Sequence, residues 1–129
     1  MTYRVGVTAN SFPKGLTLPE MLDWCKTAGA NFFEVRKEVL GLRSDPDFLY
    51  NVSSAVQETL GTRPLFSAPV PALSEIRGVE DGRIIPVVTD SLILDAAVTK
   101  IGLGVWQHHE KYRAEFAKLV RWLWYRGVL

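Results

Sequence analysis

Apolar and polar positions alternate along the opening of the chain, Tyr3-Arg4-Val5-Gly6-Val7-Thr8, and period-two alternation with β-branched residues predicts a strand. It runs into a turn cluster, Asn10-Ser11-Phe12-Pro13-Lys14-Gly15, where the strand has to stop. Leu18, Met21, Leu22, Cys25 and Ala28 then recur at steps of three and four, which puts them on one face of a helix. Thr17-Leu18-Pro19-Glu20 predicts how that helix begins. The threonine oxygen accepts from a free backbone N–H, the glutamate reaches back, and the proline sits in the first turn, where no helical bond is lost. Gly29 predicts its end at about Ala28.

Asn31-Phe32-Phe33-Glu34-Val35-Arg36 is aromatic and β-branched and reads as a second strand. Ser44-Asp45-Pro46-Asp47 again supplies a cap, an early proline and acidic residues suited to the positive end of a helix. Phe48, Val52, Ala55, Val56 and Leu60 follow as its apolar face, closed by Gly61. Arg63 to Pro69 reads as a third strand with prolines at both ends, where a missing N–H does little harm. Short connections of this kind go with parallel strands and right-handed crossovers. After Pro71 the rhythm changes, because eleven residues, Ala72 to Gly82, leave little room for a crossover helix before Ile84-Ile85-Pro86-Val87-Val88. That run is expected to be a short edge strand, with Pro86 at the edge. Ser91 to Ile101 is expected to be helical, Gly102-Leu103-Gly104 to break the helix, and Gln107 to Tyr125 to form a last one. The expected class is therefore α/β, with a βαβαβ unit over 1–73 and an edge strand and two helices over 74–129.

Composition narrows the partners. With 129 residues, 47% hydrophobic and 22% charged, the chain fits one ordinary globular domain. Fifteen Lys plus Arg against fourteen Asp plus Glu leave +1, so no global charge draws it to nucleic acid or to an anionic membrane. Cys25 is the one cysteine, which excludes an intrachain disulfide and a thiolate zinc site and makes a reducing cytoplasm the expected compartment. The start lacks the pattern of a signal peptide, and the most apolar stretch, Ile84 to Val105, is interrupted by Asp90, Asp95 and Lys100, so no membrane span is expected.

Glu34 and Arg36 stand two apart on a strand and so share one face. A carboxylate at the carboxyl end of a strand is where α/β sheets and barrels place ligands; the plainer reading is a structural Glu–Arg pair. Asn10 and Ser11 after the first strand, and Ser67 near the end of the third, would share that rim, although Asn and Ser are also ordinary turn formers. Other signals are weaker. His108 and His109 diverge by about 100° on a helix and lack the i+4 partner of a metal site. Asp90 following an apolar run suits a cation, and more simply it or Ser91 is a helix cap. Trp106, Trp122, Trp124 and Tyr125 read as core or interface. Asn51-Val52-Ser53 matches a glycosylation acceptor by chance.

The layout of the first 73 residues resembles the opening of the xylose isomerase-like barrels, the superfamily of sugar and sugar-phosphate isomerases and epimerases. The likeness rests on Val5-Gly6-Val7-Thr8 leading to Asn10-Ser11-Phe12, on Leu18-Pro19-Glu20-Met21-Leu22 ending in Ala28-Gly29-Ala30, and on the strands Phe33-Glu34-Val35-Arg36 and Phe66-Ser67-Ala68-Pro69. It implies half of a TIM-like barrel, since a whole one takes about 250 residues. It implies that Glu34 faces the barrel mouth, with Arg36 beside it. Ser67 stands where many relatives place a histidine, and the strands that carry most of the family's metal ligands are missing.

The leading functional expectation is thus a sugar or sugar-phosphate isomerase- or epimerase-like protein. Glu34 would transfer a proton next to a carbonyl with divalent-metal assistance, and Asn10, Arg36 and Ser67 would bind the substrate. The rival is a non-catalytic α/β module that self-associates. In either case a homodimer or larger is expected, because half a barrel leaves open edges and apolar surface.

Overall fold

The computed structural model of the chain describes residues 4–36, 45–67 and 85–100, together with Arg113, Ala117, Lys118 and Arg121. Among the described residues four strands, β1 (Gly6–Thr8), β2 (Phe32–Arg36), β3 (Leu65–Ser67) and β4 (Val98–Lys100), alternate with three helices, α1 (Leu18–Ala28), α2 (Pro46–Leu60) and α3 (Ile85–Leu94). A 3-10 turn, Ala9–Ser11, follows β1. All strand pairs are parallel and the order is β1-β2-β3-β4. Each strand lies beside its predecessor, as in the wall of a βα-barrel; a doubly wound sheet instead reverses order at a switch point. The chain has the α/β class its pattern predicts.

One face of the sheet carries the core. Phe33, Val35 and Phe66 are buried there with Met21, Leu22 and Cys25 of α1, Leu49, Val52 and Val56 of α2, and Leu94 of α3, while Val7 packs against them from β1. Burying each of the larger side chains contributes roughly 1.5–3 kcal/mol, and this layer fixes which way every strand faces. Helix α2 touches α1 on one side and α3 on the other, the arrangement that right-handed crossovers over consecutive strands produce.

Helix α1 starts and stops where the sequence places it. The Thr17 hydroxyl oxygen accepts from the Glu20 N–H at 3.4 Å and donates to the Glu20 carboxylate at 2.9 Å. Gly29, at φ 77°, closes the helix in the left-handed conformation that a side chain would oppose. The cap of α2 is Asp45, whose carboxylate accepts from the Asp47 N–H at 3.0 Å; Ser44, expected to share that role, lies outside the described residues. Asn51, Val52 and Ser53 are in the middle of α2, in agreement with a chance glycosylation match.

The expectation for the fourth unit is corrected. Of the run expected to be an edge strand at 84–88, the described residues from Ile85 onward belong to α3, and the described part of the segment expected to be helical over 91–101 contains its last turn and then β4. The buried positions explain why: Val87, Val88, Asp90, Ser91 and Leu94 recur at helical spacing, but two of the five are polar. The apolar periodicity therefore hides a helix that burial periodicity displays, and tertiary packing overrides the β propensity of Ile85, Val87 and Val88. Pro86 is the second residue of α3, a position where its missing N–H is not needed. Asp90 is accordingly inside a helix and 2% exposed, not a cap after a strand. Asp95, at φ 52°, ends α3 as a non-glycine in the left-handed region. The regular alternation thus continues for one unit beyond Pro71. Of the expected final helix, Arg113, Ala117, Lys118 and Arg121 are helical; its other residues, the Gly102–Gly104 break, His108, His109 and the tryptophans from Trp106 onward lie outside the described residues.

Candidate functional site

The face of the sheet opposite the helices carries a cluster of polar and charged side chains. Side chains alternate along a strand, so burying Phe33 and Val35 under the helices turns Phe32, Glu34 and Arg36 the other way, and these three are half-buried. Partners in a parallel register share a face. Thr8, Glu34, Leu65 and Val98 form one row across the sheet, and Arg36, Ser67 and Lys100 form the next, nearer the carboxyl ends. In a βα-barrel this is the inner face, and its carboxyl end is the mouth.

Glu34 is the centre of the cluster. Its Oε1 lies 2.9 Å from the Thr8 hydroxyl and 3.9 Å from Nη1 of Arg36, and its Oε2 lies 3.6 Å from Nζ of Lys100, which reaches across β3. The Thr8 oxygen is also 2.9 Å from Oδ1 of Asn10. A hydroxyl carries one proton, so both contacts are satisfied when Thr8 donates to the carboxylate and the Asn10 amide is turned to donate its N–H to Thr8. The turn that follows β1 thereby reaches Glu34 on β2 through two side chains. Exposure grades across the cluster, from 18% for the Glu34 side chain and 27% for Arg36 to 61% for Lys100. The carboxylate is set in, and the ammonium is at the entrance.

Of the five residues expected on the rim from the sequence, the structure brings Asn10, Glu34 and Arg36 into one contact network, puts Ser67 on the same face in register between Arg36 and Lys100, and leaves Ser11 exposed at the end of the 3-10 turn. Two further members, Thr8 and Lys100, join the cluster without a plain signal in the sequence. Thr8 reads simply as the end of the first strand, although a polar residue closing a parallel strand is a signal for the mouth. Lys100 was hidden by the helical reading of its segment, whereas Val98-Thr99-Lys100 alternates as a strand should.

What this donor set suits follows from its charges. Among the described residues no three of His, Cys, Asp and Glu converge, and the one carboxylate in the cluster has a guanidinium and an ammonium within 4 Å. A divalent cation would meet two positive side chains beside a single anionic ligand, against four to six ligands of O, N or S in ordinary sites. The set does not fit such a metal. It suits a polar organic ligand with negative charge, formal or developing, near Arg36 and Lys100.

A groove of about 370 Å³ lies on the helix side, between the starts of α1 and α2, lined by Leu16, Leu18, Pro19 and Phe48 among others. It holds no ionisable side chain and shares none with the rim. Among the described residues no helix is long and apolar enough to cross a membrane. No family model, curated protein or solved structure matches the chain, so residues and geometry alone bear on its function.

Proposed function

We propose that the chain is a sugar or sugar-phosphate isomerase- or epimerase-like protein whose site is the rim around Glu34. The observation that carries this reading is the placement of one inset carboxylate between two cations, with two neutral hydrogen-bonding side chains, at the carboxyl ends of consecutive parallel strands. In the reaction, the Glu34 carboxylate takes the proton from the carbon next to a substrate carbonyl. The electron pair of that C–H bond becomes the new C=C bond, the carbonyl π pair moves onto oxygen, and the enediolate charge falls beside Arg36, whose held guanidinium stabilises it. The proton of the neighbouring hydroxyl then passes to that oxygen, and return of the proton from Glu34 to the former carbonyl carbon leaves the carbonyl moved by one position. Asn10 and Ser67, on the same rim, bind the substrate hydroxyls. The test is exchange: small ketose and aldose phosphates incubated with the protein in deuterium oxide should gain deuterium next to the carbonyl, and Glu34→Gln should abolish the gain while the protein stays folded. Absence of exchange with the wild-type protein across such substrates overturns the reading.

A second reading, the non-catalytic self-associating module, is favoured by the two ends of the sheet. Val5, just before β1, is 56% exposed and Val98 on β4 is 60% exposed, and the four described strands are half the eight of a closed barrel. Two copies meeting edge to edge would cover both valines and join the inner faces. Sedimentation equilibrium decides it: a particle of twice 14.5 kDa supports association, and a monomer at high micromolar concentration sinks it.

A further inference from the structure

We infer that the ligand of the rim carries a phosphate monoester, and that Lys100 is the residue that anchors it; the inference rests on reading the rim as a ligand site. Three charged side chains form the cluster, Glu34, Arg36 and Lys100, so with the carboxylate ionised the cluster is left with one positive charge. That excess faces outward, because the most exposed of the three is Lys100.

The two cations are not equivalent. Arg36 is held at the end of β2, is 27% exposed and makes contacts besides the one to Glu34. Lys100 is the last residue of β4, is 61% exposed and touches Glu34 Oε2 at 3.6 Å, longer than a strong charge-assisted hydrogen bond. An exposed ion pair of that length is weak and yields readily to a stronger partner. A phosphate monoester offers between one and two negative charges and three acceptor oxygens, against one charge and two oxygens already engaged on Glu34. The ammonium keeps three donors on a flexible stem; it can take the phosphate at the entrance while the carboxylate, relieved of its second cation, faces the carbon skeleton further in. The arrangement thus divides the labour: Lys100 grips the charged end of the ligand, and Glu34, 18% exposed, meets the reacting end.

Inorganic phosphate is the probe. Titrated at constant ionic strength into isotopically labelled protein, it should move the amide resonances of β2 and β4 along a saturable curve, and Lys100→Gln should weaken that curve at least tenfold. Lys26→Gln, on the exposed side of α1, should leave it unchanged, and acetate at equal concentration should bind at least several-fold more weakly. No saturable response, an unaltered curve in Lys100→Gln, an equal loss in Lys26→Gln, or acetate binding as well as phosphate would each overturn the inference. A thermal midpoint of Lys100→Gln close to wild type shows that the variant is folded. Phosphate binding that depends on Lys100, without deuterium exchange, keeps the anchor and removes the isomerase reading; exchange without phosphate binding does the reverse.

Discussion

The hydroxyl of Ser53, in the middle of α2, donates a 2.6 Å hydrogen bond to the carbonyl oxygen of Leu94, the last residue of α3. The final carbonyls of a helix have no partner inside it, and here a buried side chain of the neighbouring helix supplies one. Gln57 in turn donates to the Ser53 oxygen at 2.9 Å. Because β4 starts four residues after Leu94, this bond also helps to fix where Lys100 stands relative to Glu34.

Ser53→Ala is therefore expected to destabilise the chain by about 1–3 kcal/mol, the usual range when a buried polar group loses its partner. Urea unfolding at constant m-value measures it. A change below about 0.5 kcal/mol, the scale of neutral surface substitutions, would mean that the Leu94 carbonyl is satisfied without Ser53.

Arg63 holds the same junction from the other side. Its Nε donates to the Asp95 carbonyl at 2.9 Å and its Nη2 to the Ala96 carbonyl at 3.1 Å, and Nη2 also meets the Asp95 carboxylate at 3.1 Å. Both side chains are more than half exposed, so the ion pair itself adds little, and Arg63→Gln should cost only about 1 kcal/mol. The larger consequence is local: the amides of Thr99 and Lys100 should exchange with solvent faster while those of β2 do not. Equal exchange rates in variant and wild type would show that β4 is held without this clamp.

Thr17→Ala tests the other end of the helical layer. Removing the hydroxyl deprives the Glu20 N–H of its acceptor and frees the Glu20 carboxylate, for an expected loss of about 1 kcal/mol. An unchanged denaturation midpoint would place the start of α1 elsewhere.

The elements that could be read from the sequence are those whose signals are local. Thr17, Pro19, Glu20 and Gly29 define both ends of α1 through contacts within three or four residues. Phe33, Glu34, Val35 and Arg36 show β2 because one face is wholly apolar. The fourth unit obeys no such local rule: α3 buries Asp90 and Ser91, the latter 2.8 Å from Thr99 across the helix–strand contact, and Asp95 does at φ 52° what a glycine would have advertised. Only tertiary packing tells that Ile85 to Leu94 is a helix, and Lys100 was lost to the site with it. Glu34, Arg36 and Asn10 were legible because they lie on or directly after strands whose signals are local.

Cys25 gives the pH prediction. Burial on the core face of α1 pushes its thiol above the ordinary value of 9.0, outweighing a backbone hydrogen bond that acts the other way. A raised folded-state pKa means that, above the unfolded value, the unfolded chain releases this proton more readily than the fold. The associated stability is complete below pH 9.0 and declines as pH rises past it. Unfolding midpoints measured from pH 8 to 10 should fall more steeply for wild type than for Cys25→Ala, and a thiol reagent should label native protein far more slowly than protein in urea. Rapid native labelling would contradict the buried placement.

Thr8→Val probes the link that connects the turn after β1 to the site. The substitution keeps the branched shape that suits a strand and removes only the oxygen that lies 2.9 Å from both Glu34 and Asn10. Glu34 retains its two cations, so the fold should survive with a loss of about 1 kcal/mol, the net worth of an ordinary hydrogen bond. What should change is order: the Asn10 side-chain amide loses its partner, so its two proton resonances should exchange with solvent faster than in wild type. Thr8→Ser, which restores the hydroxyl on a smaller side chain, should bring the slow exchange back. If the valine variant leaves both the unfolding midpoint and the Asn10 resonances unaltered, Thr8 does not position Glu34, and the carboxylate is oriented by Arg36 and Lys100 alone.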